Sequence, residues 1–316
     1  MFWATFTLGL VALSASFVSA VDPYTGGDTS GCGTAHLFDG LPRYLSLDTG
    51  GTTRSYWIHL PSDYHPDQQY PVVFGFHGRG TNGEFFYQDT HLSMPRFSAN
   101  KIMIYPDGLG RAWAGPEYAK ASVEQDLQFV WDMLAHVRSK YCVDSARIYA
   151  TGFSNGAGFL DTLACNATVG GEFAAFAPAS GVYYTEPDGA CEPARTPMPF
   201  LEMHGQADGA ARYAGGRGTG GTLPQMSDWL ALWADRNGCG DPTQEDSDGG
   251  NVHYISYDCK GDQGAGALQH WRVDDMAHVW PALHINLSQD GQGYGPAPIS
   301  ASILSMAFFD QFVRPA

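Results

Sequence analysis

The stretch "RIYATGFSNGAGFLDTLAC", residues 147–165, decides the fold of this chain. Its first half is an apolar run typical of a buried strand, and its second half has the composition of a helix. Between the two, Ser154 is flanked by Gly152 and Gly156 in the pattern G-x-S-x-G. In a chain with 39 glycines the pentapeptide alone is weak evidence. Its position between a strand and a helix predicts a nucleophile elbow, a tight turn that exposes the serine hydroxyl.

Apolar strands alternate with helices along the rest of the chain, which predicts a single α/β domain with a mostly parallel sheet. The predicted strands are residues 55–60, 70–78, 101–108, 146–152, 172–180, 198–205, 251–259 and 268–275. The predicted helices are residues 122–140, 155–165, 226–236 and 299–313, the first with Ser122 as its N-cap. Residues 209–222 and 241–251, rich in glycine or polar side chains, are predicted to be surface loops.

Composition and the amino terminus indicate a secreted globular protein. The chain has 316 residues, 44% of them hydrophobic, and a formal net charge of −16, which argues against a nucleic-acid partner. Residues 1–20 are apolar and end in Val18-Ser19-Ala20, the pattern of a signal peptide cleaved after Ala20. No basic residue precedes the apolar run, and an uncleaved membrane anchor is the alternative. Residues 21–316 are then the mature domain, which is not expected to span a membrane.

Six cysteines and two glycosylation sequons agree with secretion. We expect Cys32, Cys142, Cys165, Cys191, Cys239 and Cys259 to form disulfides. The pairs Cys239–Cys259 and Cys165–Cys191 are favoured because each closes a short loop. The sequons place candidate glycans on Asn166 and Asn286. Because no C-x-x-C motif occurs, the sequence does not indicate a zinc or redox site.

A nucleophilic serine needs a base and an orienting carboxylate, in the chain order Ser, Asp, His for this type of fold. Asp208 follows the predicted strand 198–205, and His278 follows the predicted strand 268–275, so both fall at the same sheet edge as Ser154. Asp274 and Asp275 are alternative orienting groups. His204 and His284 are alternative bases, although His204 at a strand end is more typical of a buried structural histidine.

Two backbone amides are expected to form an oxyanion hole beside Ser154. One belongs to Asn155, and the other comes from the loop "FHGRG", residues 76–80, where Arg79 or Gly80 would donate. Arg79 could equally be an ordinary surface charge. His77 is interpreted as a structural anchor of this loop.

The motifs "GCG" (31–33), "FHGRGTNG", "YPDG", "ATGFSNGAG", "MHGQAD" and "HVWP" occur in the order found in secreted fungal feruloyl esterases of carbohydrate esterase family 1. The chain resembles this family over nearly its whole mature length, and is similar more distantly to polyhydroxybutyrate depolymerases and acetylxylan esterases. The resemblance implies an α/β-hydrolase fold, a Ser154–His278–Asp208 triad and no metal or organic cofactor. One departure is that Ala277 and Val279 flank the histidine, where relatives carry glycine or threonine.

The resemblance further implies a substrate: feruloyl esters of plant cell-wall polysaccharides. Some relatives carry a carbohydrate-binding module, but we expect none in this sequence, and we expect the protein to act as a monomer. A flat apolar slot would be needed for a hydroxycinnamate, and Trp113 and Trp280 are the candidate walls, with burial in the core as the alternative. Acetylxylan esterase and polyhydroxyalkanoate depolymerase are the alternative activities. A non-catalytic wall-binding protein on a hydrolase scaffold is the alternative of a different class.

Overall fold

The computed structural model describes residues 30–184 and 191–315. The predicted signal peptide, residues 1–20, lies outside this part of the chain. The strands of the main sheet are β1 Pro42–Thr49, β2 Thr52–His59, β3 Tyr70–Phe76, β4 Ile102–Pro106, β5 Val143–Phe153, β6 Ala175–Ala179, β7 Phe200–Gly205, β10 Thr243–Ser247, β11 Val252–Tyr257 and β12 Leu268–Val273. Two short strands, β8 Gly216–Gly218 and β9 Gly221–Leu223, form a separate antiparallel ribbon.

The sheet has ten strands in the order β1-β2-β4-β3-β5-β6-β7-β12-β11-β10. The six central strands, from β4 to β12, run parallel to one another. The outer strands at both ends pair antiparallel. An open, mostly parallel sheet of this kind binds ligands at the carboxyl ends of its strands, and that edge carries the elbow.

Helices cover both faces of this sheet. They are α1 Gly83–Thr90, α2 Pro95–Ser98, α3 Val123–Lys140, α4 Asn155–Ala164, α5 Met226–Arg236, α6 Leu287–Asp290 and α7 Ala301–Phe309. Short 3-10 turns lie at Gly170–Glu172 and Asp248–Gly250. Helix α3 begins where the sequence predicts: Ser122 accepts from the Gln125 amide, and the Gln125 side chain accepts from the Ser122 amide, a complete capping box.

The alternation of side chains along the strands divides the core into two layers. On β3, Val72, Phe74 and Phe76 pack with α3, α4 and α5 on one face, whereas Val73 packs on the opposite face with residues of α1 and α7. The predicted α/β-hydrolase fold is therefore confirmed. Strands β3, β4, β6 and β7 are buried along their whole length, as expected for a parallel sheet covered on both faces.

The sequence analysis missed several elements at the periphery. Strands β1 and β10 and helix α1 were not predicted, and residues 209–222, predicted as a loop, contain the β8–β9 ribbon. Strand β10, within the predicted loop 241–251, is exposed along its whole length, so it lacks the apolar alternation that identifies a strand.

Three disulfides join Cys32 to Cys142, Cys165 to Cys191 and Cys239 to Cys259. The two pairs favoured from the sequence are both confirmed. Within the described ranges, every helix falls short of the length and apolarity needed to cross a membrane.

Asp89 is a buried carboxyl at the end of α1, and we predict that its charge destabilises the fold. Burial raises its pKa to about 6, although the Ser288 amide donates to Oδ1 at 2.7 Å. The pKa of Asp89 is higher in the folded protein than in the unfolded chain. Protonated Asp89 therefore contributes its full stabilisation below the pKa of the unfolded chain, and this stabilisation is lost as the pH rises through about 6. Asp89→Asn should therefore raise the free energy of unfolding by about 3 kcal/mol at pH 8 and change it little at pH 4.

The measurement is urea unfolding of both proteins at the two pH values. Asp290→Asn, at an exposed carboxyl in α6, is the matched control. An equal effect of Asp89→Asn at pH 4 and pH 8 would contradict the prediction.

Candidate active site

Ser154 lies at a sharp turn between β5 and α4. Its backbone angles are φ 55° and ψ −116°, in the left-handed region that a non-glycine residue rarely adopts. The Ser154 amide donates to the Ala179 carbonyl on the neighbouring strand at 3.0 Å. The turn is therefore a strained strand-to-helix connection, the geometry that the sequence predicts for the elbow.

Gly156, two residues after the serine, lies where α4 packs closely against the sheet. A Cβ on Gly156 would collide with the carbonyl oxygen of Phe76 at the end of β3. Only glycine lets the amino end of α4 approach the sheet this closely.

Asp208 and His278 reach the same edge from two other strands. Asp208 follows β7 and His278 follows β12, and these two strands are parallel neighbours in the sheet. The two connections touch at Gly205, where a Cβ would collide with the Met276 carbonyl oxygen. Glycine at position 205 therefore lets the loops that carry the acid and the imidazole meet.

The three side chains form one continuous chain of hydrogen bonds. His278 Nε2 lies 2.8 Å from Ser154 Oγ, and His278 Nδ1 lies 2.7 Å from Asp208 Oδ2. Asp208 is buried, whereas Ser154 and His278 are partly exposed. The structure thus brings together all three predicted residues, with the hydroxyl and imidazole accessible to a substrate.

Neighbouring groups hold the imidazole of His278 in place. The Phe153 ring lies 4.8 Å from it, centroid to centroid. The side chain of Gln292 donates to the His278 carbonyl, and Ser180 Oγ donates to the Val279 carbonyl at 3.1 Å. The backbone at and just after the base is thereby anchored.

Asp208 is held in its ionised form. Burial alone would raise its pKa, but hydrogen bonds from His204 and His278 outweigh burial and hold the pKa well below its usual range. Its second oxygen, Oδ1, accepts from the amides of Ala210 and Ala211 at 2.8 and 2.7 Å. A carboxylate with donors on both oxygens can orient an imidazole and stabilise the imidazolium.

The amides predicted for an oxyanion hole lie on the two elements beside Ser154. Asn155 is the first residue of α4, where a backbone amide has no acceptor within the helix. Gly80 donates to the Arg111 carbonyl at 2.7 Å, which leaves Arg79 as the predicted donor of the 76–80 loop. The guanidinium of Arg79 lies over the Tyr118 ring at 4.2 Å, so only its backbone is a candidate here.

His77 anchors the loop, as the sequence interpretation expects. Its Nε2 accepts from the Gly108 amide at 2.9 Å, and its Nδ1 lies 2.8 Å from the Gly78 carbonyl. Burial lowers its pKa to about 4, so the ring is neutral at physiological pH. The side chain of Asn155 further links α4 to this region, by accepting from the Trp113 amide at 2.6 Å.

The prediction of Trp113 and Trp280 as pocket walls is wrong. Both side chains are fully buried. Trp113 stacks on Phe159 and donates to the His77 carbonyl at 3.1 Å, while Trp280 packs edge-on against Phe86. They form part of the core beneath the site, and the sequence could not distinguish this role from a wall because both need large apolar side chains.

The alternative acids and bases are engaged elsewhere or exposed. Asp274 contacts His253 and Arg272. Asp275 and His284 are exposed. His204 is buried, as the alternative interpretation expects, but the sequence analysis missed that it also lies 3.5 Å from Asp208 Oδ2.

The second sequon does not fit a glycan. Asn286 is buried, caps α6, and donates through Nδ2 to the Trp280 carbonyl at 3.0 Å. That nitrogen is the atom to which a glycan would be linked, so the prediction for Asn286 is wrong. Asn166 is half-buried and its glycosylation stays a prediction.

A cavity of about 430 Å³ lies beside the elbow. Its described lining includes the first turns of α4, the start of α3 and the segment after β6, among them Asn155, Gly158, Thr162, Val182 and Tyr184. Apolar and polar groups are mixed along its walls, as in sites for small organic molecules. The residues that the structure describes contain no cluster of three or more side chains suited to a metal ion.

Several curated proteins similar to this chain are named feruloyl esterases. It is 30% identical over 212 residues to "Probable feruloyl esterase C" of Aspergillus clavatus, a match covering 64% of this chain and 70% of that protein. It is 29% identical to "Feruloyl esterase C" of Emericella nidulans, over 62% of this chain and 68% of that one. The fold is similar to that of an acetyl xylan esterase from Aspergillus awamori, with a TM-score of 0.58 and 19% identity, covering 85% of this chain and 99% of that structure. No protein-family model matches the chain.

We predict that Gly205→Ala disrupts the contact between the acid and base loops. The added Cβ would push against the Met276 backbone, two residues before His278, and separate His278 from Asp208. The rate at which a fluorophosphonate labels Ser154 should fall at least about tenfold. Gly209→Ala is the matched control in the same loop, because a Cβ there meets nothing within 4 Å. Equal labelling rates for the two variants would contradict the prediction.

Proposed function

This chain belongs to the feruloyl esterase family, and we propose that it hydrolyses feruloyl esters of plant cell-wall polysaccharides with Ser154 as nucleophile. The observation that carries the catalytic assignment is the unbroken contact from Asp208 through His278 to Ser154. Three disulfides further support secretion into an oxidising environment. We propose that the mature domain spans residues 21–316, acts as a monomer and requires no cofactor.

The reaction proceeds in two steps. The Ser154 hydroxyl attacks the ester carbonyl while His278 Nε2 takes its proton, and Asp208 stabilises the resulting imidazolium. The amides of Asn155 and Arg79 stabilise the oxyanion. Loss of one such donor typically raises the activation barrier by about 3–4 kcal/mol. The sugar hydroxyl leaves with the proton from His278. Water activated by the same imidazole then attacks the acyl-enzyme, releases the acid and regenerates the serine.

The cavity beside the elbow is the candidate binding site for the hydroxycinnamoyl group. Asn155 and Gly158 lie within one turn of the nucleophile on α4, and both line it. A volume of about 430 Å³ falls within the range of small-molecule sites. The aromatic and aliphatic walls include Tyr184, Val182 and Leu127, which replace the two buried tryptophans as candidate contacts.

Ser154→Ala should abolish hydrolysis of methyl ferulate while leaving thermal stability almost unchanged. The hydroxyl is the atom that forms the acyl bond, and its removal leaves the strained turn intact. Release of ferulate and the unfolding temperature are measured on the same preparation. Retained turnover would remove Ser154 from the mechanism, and labelling of the wild type by a fluorophosphonate separates a hydrolase from a non-catalytic binding protein.

Filling the cavity should change which acyl group is accepted. The wild type is compared on methyl ferulate, an acetyl ester and a hydroxybutyrate oligomer, and we expect the highest kcat/KM on methyl ferulate. Thr162→Trp should raise KM for methyl ferulate about tenfold or more, with little effect on the acetyl ester, because only the larger acyl group needs the volume.

Leu232→Trp, at an exposed position of α5, is the control for added bulk. An unchanged KM in Thr162→Trp would place the acyl group outside this cavity. A preference for acetyl or hydroxybutyrate esters would favour the alternative activities instead.

A further inference from the structure

A buried group of titratable side chains lies directly behind Asp208. Glu202 and His204 alternate on β7, and His270 on β12 is the register partner of Glu202. Glu202 and His270 are fully buried, and His204 is 1% exposed. We refer to Glu202, His204 and His270 as the Glu202 cluster. None of the three takes part in the proposed chemical steps.

Both ring nitrogens of His204 face acceptors. Nδ1 lies 2.9 Å from Glu202 Oε1, and Nε2 lies 2.7 Å from the Ala211 carbonyl oxygen. A carbonyl can only accept and an ionised carboxylate can only accept, so both contacts are satisfied when His204 carries two protons. The ring is then an imidazolium.

Glu202 is held in the ionised form that this arrangement requires. Its Oε2 lies 2.8 Å from His270 Nδ1, and His270 Nε2 lies 3.0 Å from the Tyr213 hydroxyl. The tyrosine can donate to Nε2, which leaves the His270 proton on Nδ1, facing Glu202. Burial alone would raise the pKa of Glu202, but the two histidines lower it. Correspondingly, burial would lower the pKa of His204, yet Glu202 and Asp208 together raise it to about 10.

The other groups around His204 do not supply a positive charge to Asp208. Arg272, its register partner on β12, donates to Asp274 at 3.0 Å. The Tyr213 ring lies 5.8 Å from the His204 ring, and burial raises the Tyr213 pKa to about 12, so this hydroxyl is neutral. Tyr183, from the segment after β6, is also buried beside Glu202 with its pKa raised.

We propose that His204 is a positioning residue for the catalytic acid. As an imidazolium it lies 3.5 Å from Asp208 Oδ2, the oxygen that also contacts His278. His204 also donates to the Ala211 carbonyl and so fixes the turn at residues 210–211. The two amides of this turn donate to Asp208 Oδ1. His204 thereby keeps Asp208 ionised and aims it at the base. This inference rests on the proposed triad.

The shared oxygen predicts a change in the pH profile. His204 and His278 both contact Asp208 Oδ2, so a cation at position 204 opposes protonation of the base. Its removal would leave an uncompensated carboxylate beside His278. Activity would then be lost at a higher pH on the acid side of the profile.

The test is the dependence of kcat/KM on pH for methyl ferulate in wild type, His204→Gln and Glu202→Gln. Glutamine at 204 is neutral and can still donate to Ala211. Both variants should lose about tenfold to a hundredfold in kcat, with KM changed less than about twofold, and the acid limb should move up by about one pH unit. His253→Gln is the control, because His253 also lies between two carboxylates, Asp246 and Asp274, but outside the triad. A variant that folds and retains the wild-type acid limb would overturn the proposal.

A measurement on the unsubstituted site covers the case in which the variants fail to fold. The measurement is nitrogen-15 NMR of the imidazoles in the His253→Gln variant at pH 8.5. The spectrum should show that one histidine, assigned as His204 through its contact with Ala211, has both ring nitrogens protonated. A neutral ring there would overturn the proposal. Because this spectrum does not depend on turnover, an inactive wild type would refute the proposed function alone. An active wild type with a neutral His204 would refute the positioning role alone.

Discussion

The backbone at Ser154 is the constraint on which the site depends. A left-handed conformation at a non-glycine residue costs about 1–3 kcal/mol, and it persists only where the surroundings enforce it. Here two features hold the turn in this conformation. The Ser154 amide donates a hydrogen bond to the Ala179 carbonyl, and α4 packs closely against β3 at Gly156. The side chain is thereby exposed at the strand ends, where the loops after β7 and β12 can reach it. A relaxed turn would direct the hydroxyl away from His278.

Buried charge is concentrated behind this edge of the sheet. Asp208 and Glu202 are both shielded from water, and their ionised forms are stabilised by imidazoles rather than by solvent. On the other side of the elbow, Arg54 pairs with buried Asp126, which also accepts from the Ala114 amide. Such pairs contribute little net stability compared with apolar packing, since desolvation offsets their attraction. Their effect here is to fix the loops that surround the nucleophile.

The parts of the molecule with strong periodicity were predictable from the sequence. Strands β3 and β4 are continuous apolar runs, α3 repeats its apolar face every three to four residues, and the elbow has a defined glycine pattern. The Ser, Asp, His order is the one expected for this type of fold, and Asp208 and His278 were identified because they follow predicted strands. The role of the two tryptophans could not be predicted, because burial and pocket lining select the same side chain. The role of the Glu202–His204 contact could not be predicted either, because His270 joins it only through the pairing of β7 with β12.

Strand β10, at one of the two edges of the sheet, has a consequence for self-association. Its sequence "TQEDS" places Glu245 and Asp246 on an edge whose far side has no hydrogen-bonding partner in the described sheet. An unpaired edge can recruit the strand of another molecule, and acidic side chains oppose this because two such edges repel each other. The chain carries a formal net charge of −16, which reinforces that repulsion over the whole surface. An unprotected edge would be a template for aggregation at high concentration, whereas at the β10 edge this sheet ends in a strand that resists extension.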